Sequence, residues 1–436
     1  MPPVAAHQRA SRDANDDRVV RSAILAIAHA LERPSDELGP VRPTSHAVNL
    51  TDGSAGTALL FAYLSAASAR LPGLGDPVRW SAAAAAHIDH AASRVATIEL
   101  SPGLSAGICG VAWSMVHVAG LLELEVEIPD SLDVDLIQLV SADAAFAELD
   151  LISGLIGIGV YLLERLPDPR AGRGLCEIVD RLAERAVHTA DGIAWHTPPH
   201  RLVGERLASC PDGYFDLGLA HGLAGVIAFL ASVHAAGLAV PRARELLEGA
   251  VAWLFARAAA DGWADGVPWA HVPGLPARPA RLAWCYGDPG VAIGVARAGV
   301  ALDRPAWTRW AHARMIHAAR RSPDASGVID ACLCHGSAGL LHILHRMHHD
   351  APDAVLDQGI RHWRDWTLRA RDRDGRPSVA GFSALARTDG QPTWIAERGL
   401  LNGAAGIGLA LLATTCDVAP DWDRALLLSA RTPEAA

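Results

Sequence analysis

Lysine is absent from this 436-residue chain, so all 38 basic residues are arginine, and 48 Asp and Glu outnumber them to leave a formal net charge of −10. That balance excludes a nucleic-acid binder, which needs a basic face to meet phosphate. With heavy use of Ala and Pro, the arginine bias reads as a high-GC bacterial coding preference. A paired cysteine framework is missing too: the seven cysteines (109, 176, 210, 285, 332, 334 and 416) are odd in number and scattered. They read as reduced thiols in a cytoplasmic protein. The N-terminus, MPPVAAHQRASRDANDDR, has no apolar core and runs straight into charge, so no secretory signal is expected. Long apolar runs are scarce as well. The longest, Gly222 to Val240, is interrupted only by Ser232 and His234, and falls just short of a bilayer span.

What the chain does have is a composition able to bury a large core, with half its residues hydrophobic and 20% charged. It also has glycine in a pattern. Seven G-x-x-G pairs occur, at Gly53/Gly56, Gly107/Gly110, Gly154/Gly157, Gly222/Gly225, Gly287/Gly290, Gly336/Gly339 and Gly403/Gly406. About four would arise by chance at this glycine content, so placement carries the weight rather than number. Each pair opens an apolar run, such as TALLFAYL, VIAFLASV or IGLALLATT. Amphipathic stretches with helical spacing alternate with these runs, for example GRGLCEIVDRLAERAVHTA and DAVLDQGIRHWRDWTLRAR; the weakest lies at Ser131 to Leu149.

Seven apolar helices alternating with seven amphipathic ones predict an all-α (α/α)7 toroid, a double ring in a single domain over 1–436. Gly222 to Val240 is then an inner helix rather than a membrane span. If the inner helices run the same way, their N-termini share one mouth, where unpaired N–H groups favour anions. Three long connections, about 191–216, 262–284 and 372–398, lead into inner helices and so belong at that mouth. These Trp-containing loops, those around Trp195 and Trp263 above all, are expected to recognise a peptide rather than perform chemistry.

Four inner helices carry polar or reactive residues at or just before the G-x-x-G: DLISGLIG with Asp150, LAHGLAG with His221, RLAWCYGDPG with Arg281, Cys285 and Tyr286, and CLCHGSAG with Cys332, Cys334 and His335. The strings HGLAG, WCYGDPG and CHG, in this order on this repeat, resemble the lanthionine synthetase C-like cyclases, and the resemblance runs from about Asp52 to Leu412. It implies that Cys285, Cys334 and His335 hold Zn2+. It implies that His221 acts on protons with Asp150 orienting it, and that Arg281 and Tyr286 are further active-site residues. Two thiolates and one imidazole leave a tetrahedral zinc one open position, the catalytic rather than the structural pattern. On the residues alone, His221 also fits a buried histidine bonded to a carbonyl, and Arg281 equally fits a solvated surface arginine. Cys332, two residues from Cys334, is an alternative ligand that strict alternation should turn away, and the cluster His342, His345, His348 and His349 lies too far along its helix to share the mouth.

The activity implied is zinc-dependent addition of peptide cysteine thiols to dehydroalanine or dehydrobutyrine, giving lanthionine-type thioether rings. The partner implied is a dehydrated, leader-bearing precursor peptide, with a separate dehydratase and an exporter beside it. An alternative is a family member that binds a thiol such as glutathione without closing rings. A zinc prenyltransferase on a related helical barrel is disfavoured, because 6 Phe and 4 Tyr do not wall an isoprenoid pocket.

Overall fold

The computed structural model describes residues 3–35, 44–142, 148–372, 375–388 and 390–431. Each of the seven apolar runs forms a helix: α2 (Ser54–Ser68), α4 (Ile108–Leu122), α6 (Leu155–Glu164), α8 (Leu223–Ala235), α10 (Asp288–Ala301), α12 (Ser337–Asp350) and α14 (Ala404–Ala413). The first glycine of each pair is the N-cap of its helix. Between them come α1 (Pro3–Leu31), α3 (Pro77–Val95), α5 (Asp130–Ser141), α7 (Pro169–Glu184), α9 (Val240–Ala260), α11 (Pro305–Arg320) and α13 (Ala354–Arg369).

The even-numbered helices form the inner ring. α2 packs on α4, α4 on α6, α6 on α8, α8 on α10, α10 on α12, α12 on α14, and α14 returns to α2. Facing neighbours on every side, these helices bury nearly their whole surface, α8 from Leu223 through Val233 without a break. The odd-numbered helices lie outside and bury one stripe. In α7 that stripe is Ala171, Gly174, Leu175, Ile178, Val179 and Leu182, at helical spacing behind Pro169 and an Asp168 side chain that caps the Arg170 N–H at 2.8 Å. The apolar run from Gly222 is thus an inner helix that stops at Ala235, turns through Gly237 at φ 74°, and starts α9 at Val240. Among the described residues no helix is long and apolar enough to cross a membrane. Of the weak stretch Ser131 to Leu149, residues 130–141 are helical and 143–147 lie outside the described residues.

The loops entering the inner helices join edge to edge. The residue two before each first glycine is Thr51, Ser105, Ile152, Ala220, Cys285, Cys334 or Leu401. Backbone hydrogen bonds run from the Thr51 N–H to Ser105 O, Ser105 to Ile152, Leu151 to Ala220, Leu219 to Cys285, Cys285 to Cys334, Cys334 to Leu401, and Leu401 back to Thr51, all between 2.9 and 3.3 Å. Seven loops from separate repeats therefore satisfy one another in a closed circle. In most repeats the second glycine is what lets neighbouring loops approach. A Cβ on Gly110 would lie 1.9 Å from Leu104 O and 2.7 Å from Leu50 Cβ of the preceding loop. Gly56 meets Leu400, and Gly406 meets Leu333, in the same way.

Gly110→Ala is expected to cost about 3 kcal/mol, the upper part of the range for overpacking, because the obstacles are the backbone of its own loop and the Leu50 Cβ, which cannot swing away. Gly120→Ala, on the exposed end of the same helix with nothing within 4 Å of its Cβ, should instead stabilise by up to about 1 kcal/mol. Denaturant unfolding of the two variants checks this, and equal midpoints would remove the close-approach argument.

Candidate active site

The circle brings the reactive residues together. Cys285 and Cys334 occupy equivalent positions in consecutive repeats, and the N–H groups of Trp284 and Cys285 both donate to Cys334 O, at 3.1 and 3.3 Å. Their thiols are hydrogen-bonded to each other. That bond, with help from Arg281 and His221, lowers Cys285 below an ordinary thiol despite its burial, while the same bond and burial push Cys334 well up. Of the two thiols, Cys285 is the readier to give up its proton. Arg281 is exposed, and its charge is felt by Cys285, Cys334 and His335.

His335 follows Cys334 directly. Burial pulls its imidazole down, so it is held neutral, the form that ligates a metal. One of its nitrogens, the Cys332 sulfur and an Asp330 oxygen all lie within 4.8 Å of one another, and Nε2 stands 4.0 Å from Asp330 Oδ2. Cys332, expected to turn away, is buried beside His335. Asp330 is nonetheless occupied: its Oδ1 accepts from the Cys332 N–H at 3.2 Å and its Oδ2 from the Leu385 N–H at 3.0 Å. Two adjacent thiols are donors of the kind zinc takes, while among the described residues the ligand atoms found within 4.8 Å of His335 are those of Cys332 and Asp330 rather than of that pair.

On the neighbouring loops, His221 Nδ1 lies 2.5 Å from Asp150 Oδ2. The imidazole is 43% exposed and opens to the mouth, while Asp150 is only 10% exposed. The other Asp150 oxygen caps the N–H groups of Ser153 and Gly154 at 2.8 and 2.9 Å, which locks the carboxylate in place. Burial is the largest single effect and works against charge on both partners, but their hydrogen bond, their mutual attraction and the neighbouring charges and N–H groups together outweigh it. The Asp150 pKa is lowered and that of His221 raised. The ring of Tyr286 faces His221 with centroids 6.3 Å apart, and its hydroxyl donates to Asp216 Oδ2 at 3.1 Å. Burial pushes Asp216 up to about 6.

Asp216 and Asp330 were not singled out from the sequence. Both sit six residues before a first glycine, and superposing the seven repeats on that glycine would have aligned them. Hydrogen bonds tie parts of the three long loops to these two aspartates. Residues Phe215–Asp216 pair antiparallel with Ala270–His271, joining the first two, and the Leu385 N–H to Asp330 bond ties in the third through the hairpin Ala384–Thr388/Gln391–Ile395. Trp195 and Trp263, however, are buried anchors, the Trp195 indole donating to Leu182 O at 2.8 Å. The half-exposed indoles are those of Trp269 and Trp394, covered by Arg206 and Arg376 at 4.1 and 4.0 Å. The histidines of α12 form no metal cluster among the described residues; His342 is fully buried and bonded to Asp423 at 2.8 Å.

A closed double ring of helices, with a thiol pair and an imidazole–carboxylate dyad on one rim, defines an α/α-toroid protein with its chemistry at the inner-helix N-termini. Residues 44–427 match the sequence profile of the lanthionine synthetase C-like proteins, and the chain belongs to that family. It is 26% identical over 276 residues to the nisin biosynthesis protein NisC of Lactococcus lactis subsp. lactis, a match spanning 59% of this chain and 65% of that protein's length. Its fold is that of the solved nisin cyclase, with a TM-score of 0.68 over 87% of this chain and 92% of the other at 22% identity.

Proposed function

We propose that the protein is a zinc-dependent cyclase that adds a cysteine thiol of a dehydrated, leader-bearing precursor peptide across dehydroalanine or dehydrobutyrine, closing lanthionine or methyllanthionine rings. The observation that carries this reading is the contact of Cys285 with Cys334 on consecutive loops, beside His335. These three residues would hold the metal. When bound, zinc supplies the positive charge that keeps a substrate thiol deprotonated at neutral pH.

The remaining work falls to the protein. Addition of sulfur to the β-carbon moves the double-bond electrons onto the α-carbon and its carbonyl, and a proton must then reach the α-carbon. The His221 imidazolium, opening to the mouth and steadied by Asp150, donates that proton. Arg281 lends positive charge to the same region, and Tyr286 faces His221 across it. The rim loops 191–216, 262–284 and 372–398 present the peptide, and the whole toroid acts as one domain. The cytosol is the compartment we assign, with a separate dehydratase supplying the substrate and an exporter taking the product.

Incubation with the dehydrated precursor peptide, alkylation of free thiols and mass spectrometry test the proposal. Each ring closed should remove one alkylatable cysteine without changing the peptide mass. Peptide cysteines that all remain alkylatable, with glutathione bound instead, would point to a thiol-binding protein that forms no rings.

A further inference from the structure

Asp216 lies outside the ligand set and the His221–Asp150 dyad, yet three features of the fold converge on its side chain. It is 6% exposed, in the short strand that joins the first two rim loops, with Leu217 N–H bonded to Trp269 O at 3.0 Å. Its Oδ1 accepts from the Gly218 N–H at 2.8 Å, closing its own loop. Its Oδ2 is spent on the next repeat, accepting from the Tyr286 hydroxyl.

Two glycines make room for this arrangement. A Cβ on Gly218 would come within 2.6 and 2.7 Å of the Tyr286 ring, and one on Gly222 within 2.3 Å of Asp216 Oδ1. Tyr286 is therefore held from three directions, by bare backbone beneath its ring, by His221 facing it and by a carboxylate at its hydroxyl. A tyrosine serving only as core filler needs none of this, since its hydroxyl could reach water at the mouth.

We propose that Asp216 is a positioning residue that orients the Tyr286 phenol toward the reacting centre. This rests on the active-site role given to Tyr286 above. The carboxylate takes the phenol proton as a hydrogen bond and so presents the ring and the oxygen lone pairs in a single orientation beside His221. Asn at position 216 keeps the acceptor for the Gly218 N–H and removes the negative charge from the phenol.

The test uses the full chain with tyrosine ring carbons labelled. Among the signals of the four tyrosines, the one missing in Tyr286→Phe is that of Tyr286. It should shift in Asp216→Asn while those of Tyr63 and Tyr161 stay in place. With the dehydrated precursor peptide, Asp216→Asn and Tyr286→Phe should each lower the turnover number by roughly ten- to a hundredfold at unchanged zinc content, and the double variant should be no slower than the slower single one. An unmoved Tyr286 signal overturns the inference, as does a double variant whose losses multiply. A slow Tyr286→Phe beside an Asp216→Asn of wild-type rate sinks this inference alone, whereas a wild-type-rate Tyr286→Phe removes it together with the role proposed for Tyr286. Should Asp216→Asn fail to accumulate, Asp216→Ser, which still reaches the Gly218 N–H but not the phenol, replaces it in every comparison.

Discussion

Cys285→Ala and Cys334→Ala should each reduce bound zinc from about one equivalent per chain to below about a tenth, because a site with three protein ligands does not survive on two. Cys332→Ala should stay near one equivalent. The contrast is informative because Cys332 also lies close to His335, together with Asp330. A metal seated on that second group would reverse the pattern, with Cys332→Ala losing zinc and the other two keeping it. Asp330 argues for the first outcome, since both its oxygens already accept backbone N–H groups. Elemental analysis of the three purified variants decides between them, and full occupancy in both Cys285→Ala and Cys334→Ala would refute the ligand assignment.

His221→Asn should leave zinc bound and the fold intact while slowing ring closure by about a hundredfold or more, the usual loss when a general acid is removed. Asp150→Asn should do less, because the imidazole remains. It should also change the pH dependence. Asp150 raises the His221 pKa, so the protonated imidazole persists to higher pH than in an ordinary histidine. Without that carboxylate the acid form is lost sooner as pH rises, and the alkaline limb of the turnover profile moves to lower pH. A wild-type rate in His221→Asn would pass the proton role to Tyr286, Arg281 or water. An alkaline limb that stays put in Asp150→Asn would detach Asp150 from it.

The inner ring was legible in the sequence because helices buried on all sides show as unbroken apolar runs, and because the backbone circle demands glycine at the same two places in each repeat. The outer ring was legible wherever its stripe is apolar. It faded at α5, whose buried residues include Asp133, taken up by the Tyr161 hydroxyl at 2.6 Å and by Arg165. A polar anchor leaves no periodic signature. Cys285, Cys334, His335 and His221 stood out because they abut the glycines. Asp216 and Asp330 did not, since an aspartate in a loop is ordinarily a turn residue and its partners come from other repeats. Trp195 and Trp263 misled in the opposite sense: an indole in a long loop suggests a binding surface, yet these two fasten their loops to the core.

The circle of loops also bears on how such a molecule comes to exist. A stack of repeats with two free ends can gain or lose a unit and remain a shorter stack, each repeat answering only to its neighbours. Here the bond from Leu401 to Thr51 joins the last unit to the first, so there are no terminal units to add to or trim. Assembly must hold the early repeats open until the final one arrives, which loads the entropy of closure onto a contact between distant parts of the chain and favours slow, all-or-none folding. The same closure couples the two thiols of the rim to residues on its far side: whatever splays one joint in the circuit loosens the seat of the others.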